Sequence, residues 1–297
     1  MSAPSGRGVP LSYGDYEAEV VEVGAGLRAL RKQRRELVDG YAPTQMCSGG
    51  RGQVLTPWPN RVADGRYEFG GTTYQLPLSE AAAGNAIHGL TRWVNWSLLD
   101  RSPASARWGY SLHPQPGYPF ELDLTVDYTL SDKGLRVQTA AVNVGAVAAP
   151  YGQGAHPYLT VGRRIDECEL TLSATTKAAS DQRGLPGDPE PVIGGPFDFA
   201  EARLIRDTTF DDPFGGVTEG QVALLRDPDS GRSAALCVDS TYRWVQLFSG
   251  DKLPDRPRCA LAVEPMTCPV NAFNSGVDLI ILEPGATHQG TFAISGS

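Results

Sequence analysis

Four histidines stand in the 297-residue chain, and two have unusual surroundings. His88 lies in Asn85-Ala86-Ile87-His88-Gly89, and His156 in Gly154-Ala155-His156-Pro157-Tyr158. Glycine lets backbone or ligand approach closely, so neither segment reads as a plain strand interior. His113 and His288 lie beside strand-like or turn-like polar residues and are assigned to structure or surface. Imidazole titrates near neutrality, which suits it to proton transfer. Two carboxylates are candidate partners. Glu264 follows the apolar run Ala260-Leu261-Ala262-Val263, and Glu283 follows Leu279-Ile280-Ile281-Leu282. Periodicity does not choose between them, since each also reads as a strand-end acid in solvent.

Other chemistries lack their signatures. No His-Glu-x-x-His and no Cys/His cluster is present, so the expectation is an enzyme with no metal. No Gly-x-Ser-x-Gly elbow and no Gly-x-Gly-x-x-Gly fingerprint occurs, which disfavours a serine hydrolase and a dinucleotide cofactor. The five cysteines are scattered and odd in number, the usage of reduced thiols in a reducing compartment. The polar start, residues 1–8, lacks the apolar core of a signal peptide. No run approaches the ~20 apolar residues that span a bilayer. A net charge of −8 argues against nucleic acid and anionic membrane as partners. The basic run Arg31-Lys32-Gln33-Arg34-Arg35 reads as a solvated turn. The expected location is cytoplasmic, and the sequence says nothing of oligomeric state.

The elements that must position these residues are strands. Leu122, Leu124, Val126, Tyr128 and Leu130 alternate with polar residues, the period of a half-buried strand. Ser131-Asp132-Lys133-Gly134 supplies a turn, and the alternation resumes from Leu135. Further strands are expected at 16–23, 66–69, 72–76, 97–99, 106–112, 234–238, 244–248, 259–263 and 279–282. No long segment has a 3.6-residue apolar period. Residues 180–220 are the most irregular, and 181–189 read as a long loop of possible function. The class is all-β, a large antiparallel β-sandwich forming one domain over residues 1–297.

Taken together, five stretches carry a resemblance. They are Pro59-Asn60-Arg61-Val62-Ala63-Asp64-Gly65-Arg66-Tyr67, the His88 segment, the His156 segment, Phe210-Asp211-Asp212-Pro213-Phe214, and Val263-Glu264-Pro265 with Pro269 and Asn271. In this order the chain resembles the aldose 1-epimerase (galactose mutarotase) family, over roughly residues 15–295. The resemblance implies a galactose mutarotase-like supersandwich that interconverts sugar anomers without cofactor. It implies Glu264 as general base and His156 as general acid, and thereby prefers Glu264 to Glu283. It also implies that His88, Asn60, Arg61 and Asp211 (or its neighbour Asp212) bind the sugar.

Opening a hemiacetal needs a proton removed from O1 and one supplied to the ring oxygen. An imidazolium at His156 and a partly buried Glu264 of raised pKa, facing each other one sugar ring apart, would serve. Arg92 is a further expected sugar contact, placed to meet an anion at C6 if the 88–92 segment curls around the pocket. Otherwise it is a surface residue beside Trp93. Some relatives act on C6-charged sugars, so an epimerase of a hexose 6-phosphate or sulfosugar is an alternative to a neutral aldohexose mutarotase. A non-catalytic carbohydrate-binding sandwich is the other.

Overall fold

The alternating strand at the centre of the sequence reading anchors the largest sheet. A computed structural model describes residues 3–297. In it Leu122–Ser131 pairs antiparallel with Gly134–Asn143, and Gly134 takes the positive φ that the turn requires. Leu122, Leu124, Val126, Tyr128 and Leu130 are all buried. Each such side chain contributes roughly 1.5–3 kcal/mol of burial free energy. The sheet has nine strands, running from Ser97–Arg101 at one edge to Arg203–Leu204 at the other. A second, eight-stranded sheet carries Asp211–Gly215, Trp244–Phe248, Leu261–Met266 and Gly154–Ala155 as successive neighbours. A four-stranded antiparallel sheet near the N-terminus completes the principal layers. One cluster of buried apolar residues runs from Val9 to Ile294. The architecture is the expected large antiparallel β-sandwich. Its one α-helix among the described residues is the single turn Ala272–Ser275.

Two local expectations are corrected. Residues 181–189 are not a long loop. Thr176–Ser180 and Pro186–Pro191 form a hairpin, and only a tight turn separates them. Pro186, Pro189 and Pro191 disguise the second strand. It is the edge of its sheet, where a residue without an N–H costs no ladder bond on the open side. The other correction concerns Glu264. The strand expected to end at Val263 continues as Leu261–Met266, with Gln246 opposite Glu264 and Val245 opposite Pro265. Glu264 is therefore an interior strand residue.

Gln33 and Arg34 take left-handed conformations between Leu27–Lys32 and Arg35–Glu36, so the basic run is a hairpin turn. Glu283 is exposed in the turn before the last strand. All five cysteines are free. No helix among the described residues is long and apolar enough to cross a membrane. Met1 and Ser2, part of the polar N-terminal stretch, lie outside the described residues.

Candidate active site

Three separate stretches of chain converge on Glu264. Its strand, Leu261–Met266, is flanked by Trp244–Phe248 and by the His156 segment. The His156 segment is fixed through its backbone: His156 donates its N–H to Gln53 O and accepts from Gly52 N. The third stretch pairs Arg61–Ala63 with Asn85–Ile87, which sets Asn60 beside His88. Gly89 is needed here for backbone approach, since a side chain at that position would strike the Thr56 carbonyl.

His156 Nε2 lies 3.3 Å from Glu264 Oε1. This is direct contact, closer than the one-sugar-ring separation expected from sequence. The rings of His88 and His156 meet edge to face with centroids 5.4 Å apart. Glu264 is 2% exposed, His156 5% and His88 7%, and this burial governs their charges. It raises the Glu264 pKa well above the ordinary carboxylate value; Asp211 raises it further, while Arg61 acts in the opposite sense. Burial, with the cations Arg92 and Arg51, lowers His156 to about 3. Burial also lowers His88 well below the ordinary value, reinforced by His156, Arg92 and Arg61. The imidazolium expected at His156 is therefore a neutral imidazole. Glu264 Oε2 and His156 Nδ1 are buried without a protein partner. Buried polar atoms are normally satisfied, so the Glu264 oxygen between two histidines is a place where a polar ligand would supply the missing partner.

His88 has a defined tautomer. The Asn60 backbone N–H donates to its Nδ1 over 3.2 Å, leaving Nε2 to carry the proton. His88, His156 and Glu264 each bring one potential ligand atom within 4.8 Å of the others, close enough to suggest an ion. The tautomer argues against one: a neutral histidine ligating through Nε2 must carry its proton on Nδ1. The donor set fits a hydroxyl-rich ligand better than a metal.

The remaining expected contacts fall around this group. Asn60 is buried with a positive φ, and its Oδ1 accepts from Arg61 N. Arg61 is held by Glu80 through two hydrogen bonds of 2.8 and 3.0 Å. Asp211 and Asp212 point to opposite faces of their strand, as adjacent strand residues must. Asp211 turns to the site, where Gln246 Nε2 donates to its Oδ1 over 3.2 Å. Asp212 turns away to Lys177 and to the Ser180 amide. Burial raises the Asp211 pKa although the residue reaches the surface. The Arg92 guanidinium lies half-buried with its carbon 5.5 Å from the centre of the Trp93 ring and has no carboxylate partner among the described residues. It is near enough to bear on both histidines.

Sequence reasoning missed Gln246 and Tyr158. Gln246 is buried, faces Glu264 across the sheet and leaves its Oε1 unpartnered. Tyr158 stacks on His156 at 5.0 Å and 11°, with the Arg51 guanidinium on its ring. Cross-strand pairing with Glu264 singles out Gln246, and stacking on His156 singles out Tyr158; neither is visible in residue type or periodicity.

Comparison with known proteins bears on this arrangement. Residues 9–295 match the family described as aldose 1-epimerase. YihR of Escherichia coli K12 is 42% identical over 294 residues, covering 98% of this chain and 94% of that one. The aldose 1-epimerase of the same bacterium is 26% identical over 206 residues, 66% of this chain and 59% of the enzyme. Among solved structures, an aldose epimerase homologue from C. elegans aligns with a TM-score of 0.88 at 18% identity, covering 98% of each chain. A galactose 1-epimerase from Lactobacillus acidophilus aligns at 0.82 and 21% identity, covering 98% of this chain and 94% of that one. At such identities the structural matches speak for the fold, while the match along the sequence speaks for descent. This chain belongs to the aldose 1-epimerase family, a family of isomerases.

Proposed function

We propose that the protein interconverts the α and β anomers of a free aldohexose, with Glu264 as base and His156 as acid, in one domain spanning residues 1–297. The observation that carries this reading is the buried Glu264–His156 contact with an unpartnered atom on each side. The coupled pair holds one proton between its two members. Before sugar binds, burial keeps that proton on Glu264. Sugar hydroxyls donating to the carboxylate, together with Arg61, stabilise its charged form and move the proton to His156. Glu264 then takes the O1 proton while His156 gives its own to the ring oxygen. The C1–O5 bond breaks and a C1 carbonyl forms. After rotation about C1–C2, the O5 hydroxyl adds to the other face of C1. His156 recovers its proton and Glu264 returns one to O1. Protons and oxidation state balance, so the cycle calls for no cofactor. His88 Nε2–H, Asn60, Arg61 and Asp211 supply donors and acceptors to the hydroxyls.

The test is anomer exchange by NMR on glucose, galactose and glucose 6-phosphate, using protein dialysed against a chelator. Exchange on at least one sugar should exceed the uncatalysed rate and persist after chelation. Absence of exchange on every sugar, with sugar still bound, would leave a carbohydrate-binding module. Loss on chelation with recovery on adding a metal would overturn the metal-free mechanism.

A second reading, a sugar bearing phosphate or sulfonate at C6, is favoured by the Arg92 guanidinium, half-buried and without a carboxylate partner. An anion accepts two hydrogen bonds from one planar fork. Arg92→Ala should then weaken a C6-charged sugar by ~1.5–3 kcal/mol and leave neutral glucose almost untouched. Equal effects on both sugars, read from KM, would dispose of the anion site.

A further inference from the structure

The turn between Thr176–Ser180 and Pro186–Pro191 reaches across to the segment that precedes His88. Asp181 builds the turn: its Oδ1 accepts from the amides of Arg183 and Leu185, at 2.8 and 2.9 Å. Arg183 then spans the gap. Its Nε donates to Ala83 O at 2.9 Å, and its Nη2 to Gly84 O at 3.1 Å and to Asp64 Oδ1 at 2.7 Å. Asn85, fully buried, closes the loop from the other side. Its Nδ2 donates to Arg183 O at 2.9 Å and to Glu80 Oε2 at 3.0 Å. Glu80 Oε2 also receives Arg61 Nε. An unbroken set of hydrogen bonds therefore joins the hairpin tip to Arg61, 123 residues away in sequence at Gly184.

Gly184 makes the contact close. It has φ +73°, and a Cβ there would land on the Arg61 guanidinium. Glu80 takes Nε and Nη2, and Nη1 donates to Gly184 O at 3.5 Å, so only the remaining protons of the two terminal nitrogens are left for a ligand. We infer that this hairpin tip is a clasp, in which Arg183, Asn85, Glu80 and Gly184 are positioning residues that hold Arg61 in the orientation it uses on the sugar. The inference rests on the reading that Arg61 serves a sugar site. A guanidinium on an unbraced side chain would sample several rotamers, and misplacement by about 1 Å can cost on the order of 100-fold in rate.

Arg183 is the residue to change, because it is partly exposed and its loss should leave the core intact. Exchange kinetics on the best of glucose, galactose and glucose 6-phosphate would be compared for wild type, Arg183→Ala, Arg183→Lys and Gly184→Ala. Arg183→Ala should keep its melting temperature and lose about 10–100-fold in kcat/KM. Lysine should restore part of it, by reaching some of the same acceptors. The readout specific to the clasp is the pH profile. Glu264 faces His156, His88, Asp211, Tyr158 and Arg61, and Arg61 is the cation that favours its ionised form. The active pair carries one proton and loses it when Glu264 ionises, so freeing Arg61 should move the alkaline limb of kcat/KM to higher pH. A loss of rate with the alkaline limb unmoved, or an unchanged rate, would overturn the clasp while leaving the mutarotase reading intact. A wild-type protein inactive on all three sugars would overturn both.

Discussion

Glu264→Gln should lower anomer exchange by ~10²–10⁴-fold, the usual worth of a general base, while sugar binding survives. Glutamine keeps the length and planarity of the side chain but cannot accept the O1 proton. The same substitution should not destabilise the fold. Burial holds the folded-state pKa of Glu264 above its ordinary value. Such a carboxyl adds stability below the ordinary carboxylate range, and that stability is lost as pH rises through the folded value. Glutamine carries no charge to bury, so the variant should melt at or above the wild-type temperature at neutral pH. Polarimetry on freshly dissolved α-glucose or α-galactose measures the rate, and calorimetry the melting. Near-normal exchange would remove Glu264 from the role. A large drop in melting temperature would mean that the rate loss reports unfolding.

The second large effect belongs to His156→Asn, which removes the donor to the ring oxygen. Loss of a positioned acid costs a similar ~10²–10⁴-fold. Two controls accompany it. His113 is exposed, near Glu121, and His288 lies on the last strand beside Tyr151. Asparagine at either position should leave exchange nearly unchanged. Damage from His288→Asn equal to that from His156→Asn would sink the site assignment. The acid response supplies an independent check. The folded pKa of His156 falls from 6.5 to about 3, so its contribution to stability is present above 6.5 and is lost as pH drops toward 3. The asparagine variant should therefore lose less melting temperature on acidification across that window.

The all-β class, the central hairpin and both histidines were legible in the sequence because each rests on local signals. Period-two burial fixes which face of Leu122–Ser131 enters the core, and glycines beside a histidine are visible without a fold. Glu264 was legible only through resemblance. By periodicity it equalled Glu283, and what separates them is non-local: Glu264 is buried opposite Gln246, while Glu283 sits exposed in a turn. The hairpin at 176–191 was hidden for a related reason. Proline reads as a loop residue unless one knows that the strand lies at a sheet edge, and edge position is a property of the assembled sheet.

The sequence by itself determined the strand pattern, the candidate residue types and the family likeness. Tertiary structure alone decided that Asp211 rather than Asp212 faces the site, that Gln246 joins it, and that Arg61 is braced by a turn 120 residues away. It also decided the charge states. A histidine and a glutamate in sequence carry their ordinary pKa values; shut away from water 3.3 Å apart, both are driven toward neutrality. The physical reason is common to all these cases. Residue type sets what a group can do, but desolvation and cross-strand proximity set what it does, and both arise only when distant segments pack together.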